Sequence, residues 1–380
     1  MIERLGLRMT DTASSERQET QQLHPLRRTR PRGSGPDQTG QYRELLARVR
    51  DAGLLDRTRG FYAAVFAGLL AALAADVTGI LLVGDSGWQL LLAAALGVIT
   101  AQLGFLAHEA AHREIFETGK ANDAAGLLIG NLLVGISFSD WKTGHNRHHA
   151  NPNLVGKDPS IDPGVFTFTP DDAAETRGLR AWYTRHQGLF FFVIIPLAGF
   201  SLHLQGVLAV FRRGRFERRA LEIALLAVHG ALYLTLVFSS MSVALGFLFL
   251  TVHLLVFGVC TASAFVPNHT GMPVLPRDSR VDFLRRQILT SRNITGGPVA
   301  TALMGGLNFQ IEHHLFPSMP RPHLRKAREL VRAYCREHGI GYTETTIGQA
   351  YAQIVRYMNE VGLAAGTHSV RCPVAAALGR

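Results

Sequence analysis

The chain has 380 residues, 47% of them apolar and only 18% charged, and a mean hydropathy of +0.12, which disfavours a pair of soluble domains and fits an integral membrane protein. A formal charge of +10 leaves nucleic acid, an anionic membrane surface and an anionic substrate as possible partners. Three scattered cysteines, Cys260, Cys335 and Cys372, with no CxxC pair, exclude a disulfide framework and a cysteine metal site.

Residues 1–40 are rich in Arg, Thr, Gln, Gly, Ser and Pro, with a basic run at Arg27, Arg28, Arg30 and Arg32 and no apolar core for a signal peptide. They read as a disordered basic tail. No aromatic-interleaved basic patch accompanies the run, so nucleic acid is not expected as a partner.

Five apolar stretches follow, at 61–83 with Asp76 as its charge, 88–107, 189–210, 220–240 with Glu222, and 242–266. About 20 helical residues cross the hydrocarbon core, so each is long enough. A sixth block, Asn122 to Ser137, is short and reads as interfacial or partly inserted.

The loops give orientation, because translocated loops avoid Lys and Arg. The turns at 84–87 and 239–241 carry no basic residue, whereas Arg212, Arg213, Arg215, Arg218, Arg219 and the Arg-dense 277–336 region mark the cytoplasmic side. The 189–210 stretch would then start and end on one side. The expected fold is all-α, with four transmembrane helices in two hairpins (61–83 with 88–107, 220–240 with 242–266) and interfacial or re-entrant helices near 122–137 and 189–210. Both termini are expected in the cytoplasm, with a membrane domain at 41–340 and a C-terminal cytosolic helix and tail at 341–380.

Sixteen histidines are the unusual feature. His108 and His112 are four apart, which puts both imidazoles on one helix face. His145, His148 and His149 repeat that geometry, and Gln310, His313 and His314 repeat it with an amide first. His269 directly follows the last span. Eight neutral imidazoles exceed what one ion takes from protein, so two ions sharing them are expected, with redox metal favoured over a hydrolytic site. One competing reading is a zinc protease, since His108-Glu109-Ala110-Ala111-His112 matches HExxH. That chemistry has no use for the other histidine clusters. His203, His229 and His253 lie inside apolar stretches; haem ligation is weighed there, but packing or interhelical hydrogen bonding is the expectation.

The three clusters resemble the histidine boxes of the membrane fatty acid desaturases. The context is similar as well: Trp141-Lys142-Thr143-Gly144-His145, the run His149-Ala150-Asn151-Pro152-Asn153 to Asp158-Pro159, and Gly305 to Gln310 continuing to His314-Leu315-Phe316-Pro317. The resemblance covers roughly 60–340. It implies a cytosolic helical cap over the membrane helices, holding two iron ions (Fe2+/Fe3+) on His108, His112, His145, His148, His149, His269, His313 and His314. It also implies O2 as co-substrate, a long-chain fatty acyl substrate and an external electron donor.

An alkyl C–H bond offers no polar handle, so an apolar tunnel must set which carbon meets the irons. Arg277, Arg285, Arg286, Arg321 and Arg325 are candidates for attracting a head group such as coenzyme A, with positive-inside topology as their other explanation. Gln310, Asn268, Asn308 and Glu312 are expected around the metal, Gln310 through water and Glu312 by orienting a ligand histidine. Gln310 in place of the more common His resembles the front-end, delta-6-like group. No HPGG haem motif of a fused cytochrome b5 domain is present, so electrons are expected from a separate ferredoxin or cytochrome-type donor and its reductase, and a bacterial membrane is the expected setting. A delta-9 desaturase and a lipid or carotenoid hydroxylase of the same superfamily are the alternatives.

Overall fold

A computed structural model describes residues 38–212, 216 and 218–367; the basic run at 27–32, Arg213, Arg215 and Cys372 lie outside the described residues. Helix α1 (Gln38–Asp51) buries Leu45 and Val49, one turn apart, against the cap core. Helices α2 (Arg59–Val83) and α3 (Gln89–Ala111) form the first apolar hairpin. Helix α4 (Gly119–Leu127) passes into a π-helical segment, Leu128–Val134, which ends at Gly135 with φ +86°. Only glycine takes that angle without strain. Helix α5 (Phe138–Ala150) then leaves the preceding segment at 116°.

Short helices α6 (Pro170–Glu175) and α7 (Gly178–Arg185) lead to α8 (Gln187–Ile194), which continues through a 3-10 turn at Pro196 into α9 (Ala198–Phe211). Helices α10 (Arg219–Ser240) and α11 (Val243–His269) form the second long hairpin. The remaining elements are α12 (Phe283–Leu289), β1 (Asn293–Thr295), α13 (Gly297–Leu303), α14 (Gln310–Leu315), α15 (Arg321–Glu337), β2 (Glu344–Thr346) and α16 (Ile347–Gly362). The fold is helical with one correction to the all-α expectation. Strands β1 and β2 pair in parallel, Asn293 opposite Glu344, and tie the segment before α13 to the segment before α16.

Among the described residues, five helical stretches are long and apolar enough to cross a membrane: α2, α3, α8 with α9, α10 and α11. Exposed Leu82, Leu91, Leu232 and Phe247 on them suit lipid. The two hairpin turns meet at one end, where Asp85 Oδ1 accepts from Ser242 N and Oγ, each at 2.8 Å. Helix α9 lies close against α11 because Gly199 and Gly258 meet at the crossing: a Cβ added at Gly199 would stand 2.0 Å from Leu254 O, and one at Gly258 2.7 Å from Gly199 N.

The π-helical segment and the bend after it free backbone groups that lipid cannot satisfy. Polar side chains of α9 and α10 take them up. His229 Nδ1 lies 2.9 Å from Leu132 O and His203 Nε2 3.0 Å from Val134 O. Buried Glu222 accepts from Asn131 Nδ2 (2.9 Å), Ser137 Oγ (2.6 Å) and Ser139 N (3.1 Å). The third internal histidine, His253, accepts at Nδ1 from Tyr233 OH at 2.5 Å and stands 3.1 Å from Thr100 Oγ1. All three are therefore occupied by hydrogen bonds within the helix bundle.

The cap core packs α1 and α15 face to face. In α15, Leu324, Ala327, Val331, Tyr334 and Cys335 recur at helical spacing and are buried with Leu284 and Ile288 of α12 and Ile311 and Leu315 of α14. Helix α16 packs into the same compact unit, with Ile354 and Met358 against Phe191 of α8.

Candidate metal centre

Four separate elements deliver the eight predicted histidines to one place. His108 stands in the last turn of α3, and His112 caps that helix. Helix α5 presents His145, His148 and His149; α11 ends on His269; and the single-turn α14 carries His313 and His314. Their nitrogens fall into two groups, His108, His112, His145, His149 and His313 in one and His148, His269 and His314 in the other, with the atoms of each group within 4.8 Å of one another.

In the first group His145 Nε2 is central, 3.0 Å from His108 Nε2, 2.9 Å from His112 Nε2 and 3.0 Å from His149 Nε2. In the second, His148 Nε2 and His269 Nε2 are 3.3 Å apart. The stacked rings of His149 and His314, 4.1 Å between centroids, join the two groups.

The donor set fits metal. Nε2 of both His313 and His314 and Nδ1 of His149 are buried and have no hydrogen-bond partner, a costly state for protein alone. Burial holds His112 down to about 3 and His313 and His314 well below the usual histidine range, so these imidazoles stay neutral, as ligands must be.

The second group also has its tautomers fixed from behind. His148 Nδ1 donates to Asp158 (2.9 Å), His269 Nδ1 to Thr290 O (3.0 Å) and His314 Nδ1 to Gln287 Oε1 (2.9 Å), which leaves each Nε2 lone pair directed at the centre. Asp158 is itself fixed by Asn153 N and Ser160 N. Sequence reasoning missed these three roles. Asp158 stood in the quoted motif run and was the one with a signal; Gln287 and Thr290 reach the site only because α12 packs behind it.

The other expected neighbours separate. Gln310 Nε2 is 3.0 Å from His269 Nε2, and its Oε1 accepts from Asn268 Nδ2 at 3.0 Å, so Asn268 orients the glutamine. Glu312 does not orient a histidine, contrary to expectation. It points the other way, accepting from Tyr342 OH (2.7 Å) and Asn293 Nδ2 (2.8 Å). The Asn308 side chain likewise makes no contact with a histidine; its amide faces Ile294 O at 3.5 Å.

Arg321 is not free for a head group either. It donates to both oxygens of Glu109, Nε to Oε1 at 2.5 Å and NH2 to Oε2 at 2.8 Å, in a pair whose side chains are only 10% and 3% exposed. That pairing removes the carboxylate the protease reading needs as a base. Arg285 pairs with Asp282 at 3.1 Å, Arg286 is half-buried, and Arg277 is exposed beside Gly156.

An apolar cavity of about 350 Å³ reaches the histidines His145, His148 and His269. Phe105, Phe257, Phe265 and Val134 wall its membrane side, and Phe166, Tyr357 and Met358 its far side. Trp141 lines it too and stacks on His145, 4.5 Å between centroids. None of the five arginines expected at a head group lines this cavity.

The sequence profile of the fatty acid desaturases matches residues 86–346, which takes in every histidine of both groups. The chain belongs to the fatty acid desaturase family. Among similar proteins of this family, a Delta(6)-fatty-acid desaturase of Caenorhabditis elegans is 31% identical over 291 residues, 72% of this chain and 65% of the relative. A Delta(5) fatty acid desaturase of the same organism is 32% identical over 258 residues, covering 65% and 58%. A Delta(8)-fatty-acid desaturase of Euglena gracilis is 30% identical over 275 residues, covering 69% and 65%. The chain thus spans less than two thirds of the length of these desaturases. All three are eukaryotic and lend no support to a bacterial setting.

Proposed function

We propose that this chain is an O2-dependent acyl desaturase that introduces a cis double bond into a long-chain acyl substrate. The observation that carries the reading is the apolar cavity that reaches His145, His148 and His269, three of the eight converging histidines. In balance, the substrate loses two hydrogens from adjacent carbons, O2 takes these with two electrons and two further protons, and two waters leave. Two irons would be held by the five-histidine and three-histidine groups; when bound they supply the oxidising power that an unactivated C–H bond requires.

The chain's own residues do the positioning. An acyl chain has no polar handle, so the phenyl walls of Phe105, Phe257 and Phe265 hold it by shape and exclude water. Gly104, one turn before His108 on α3, leaves the space beside the metal site open: a Cβ there would meet only Phe257 Cε2, at 4.0 Å. Asp158, Thr290 and Gln287 keep the imidazoles in the ligating tautomer.

The reading includes four membrane spans with the cap and both termini in the cytoplasm. It is supported by the joined hairpin turns at Asp85 and Ser242, far along each helix from His108 and His269. The α8–α9 stretch has cap-side neighbours at both ends, Gln187 with Met358 O and Arg212 within 3.9 Å of Asp140. Front-end regiospecificity is supported by the Delta(6), Delta(5) and Delta(8) names of the relatives and by Gln310. Electrons would come from a ferredoxin or cytochrome-type donor.

The test is a fatty-acid profile, with double bonds located by mass spectrometry, in a host expressing wild type or His148→Ala beside a redox system. A new olefin that vanishes in the variant is the expected result. Two irons per chain, working electron delivery and no olefin would overturn the reading, and an oxygenated product would move it to a hydroxylase.

A further inference from the structure

A second cleft, of about 620 Å³, is lined by Ile294, which packs with Met304, Leu307 and Phe105, the last a lining residue of the first cavity. Two of its sides belong to different environments. Phe61 and Val65 of α2 and Gln102 of α3 line it from the membrane helices. Gln102 lies six residues before His108, about 9 Å nearer the bilayer along the axis, and its Nε2 donates to Leu303 O at 3.1 Å, which pins α13 at that depth. Helix α13 gives the cleft Pro298 and Ala302, while its Val299 and Leu303 are 70% and 58% exposed, a surface suited to lipid.

The cap side of the cleft carries three arginines of α15, and only one has charge to spare. Arg321 is neutralised by Glu109, and Arg328 by Glu344 at 2.5 and 3.0 Å. Arg325 is exposed and has no ion pair among the described residues. Asn308 also lines the cleft; it is 2% exposed, and its Oδ1 has no hydrogen-bond partner.

Apolar walls at bilayer depth beneath one uncompensated guanidinium match an amphiphile with an anionic head. No histidine lines this cleft and it shares no lining residue with the histidine-lined cavity, so it is distinct from the proposed substrate cavity. We propose that the cleft binds a bilayer phospholipid, with the phosphate on Arg325 and an acyl chain on Phe61, Val65, Pro298 and Ala302, which fastens α13 to the membrane edge of α2 and α3. The proposal does not depend on the reaction proposed above.

The test uses the iron-loaded full chain in detergent, stripped of lipid and titrated with phosphatidylglycerol, phosphatidylcholine or oleate, with bound molecules counted by native mass spectrometry. Wild type should hold one phosphatidylglycerol more tightly than phosphatidylcholine. Charge reversal in Arg325→Glu should weaken it by about tenfold, and Ala302→Trp, which fills the cleft, should do the same. Lys326→Glu, an equal charge change on the adjacent exposed residue, should leave binding unchanged. Equal loss in Lys326→Glu and Arg325→Glu, retention in Arg325→Glu, or specific binding of oleate alone would each overturn the proposal. Unchanged iron content and melting temperature in Arg325→Glu establish that the fold is intact, so the outcome stands even if Ala302→Trp does not fold.

Discussion

The five-histidine and three-histidine groups are built by different means. In the first, His108, His112 and His149 each bring a ring nitrogen to about 3 Å from His145 Nε2 and find no outer acceptor among the described residues, so helix spacing and crowding set their positions. In the second, each imidazole is fixed by an outer acceptor on a different element, Asp158, Thr290 O or Gln287. A crowded group has a ligand to spare; a three-membered group has none and depends on orientation instead. The two should therefore fail differently.

The largest difference is expected from deleting one ligand in each. His269→Ala leaves two imidazoles in its group and should take bound iron from two per chain to one and abolish olefin formation. His112→Ala leaves four and should retain both irons. Metal analysis of the purified variants checks this, and equal losses would show that the ions are shared across the groups. In metal-free protein, burial pushes the His112 imidazole down to about 3, so the stability it contributes is full above the unfolded histidine pKa and lost as pH falls through that value toward the folded one.

Behind the five-histidine group stands a buried ion pair in place of outer hydrogen bonds to the rings. Arg321→Met would leave Glu109, between His108 and His112, charged and unpaired, at a cost of about 3 kcal/mol or more. A melt in detergent should show that loss, and Glu109→Gln with Arg321→Met should recover part of it. No recovery in the double variant would mean that Arg321 acts through packing alone.

Asp158→Asn addresses the other group. The amide keeps the size of the carboxylate but not its charge toward His148 Nδ1–H, so metal affinity should fall by about 10- to 100-fold, confined to one of the two ions. Equal weakening of both would contradict separate control of the groups.

The legibility of the site follows the same division. His108 with His112, and His145 with His148 and His149, were readable because ligands on one helix must recur at three or four residues. The hairpins were readable because a bilayer demands long apolar runs. The outer acceptors had no such period: Thr290 acts through its backbone carbonyl, and Gln287 depends on where a seven-residue helix packs. Glu312 misled because one helical step turns a side chain by about 100°, which carries it off the His313 direction to Asn293 and Tyr342. Arg321 misled because its partner, Glu109, lies 212 residues away.

Glu222 offers the smallest effect and the sharpest control, because it holds the start of α5, which with α14 is one of the two helices that serve both groups. Its carboxylate accepts from Asn131, Ser137 and Ser139, three donors on the bend leading into α5. In Glu222→Gln one acceptor oxygen becomes an NH2 facing donors, and a buried donor left without its acceptor costs about 1–3 kcal/mol. The melting temperature should drop. Both irons should nevertheless remain, since no ligand and no outer acceptor is altered. Loss of iron from a single group in this variant would mean that α5 reports to one group only, and the shared-helix account of the site would fall.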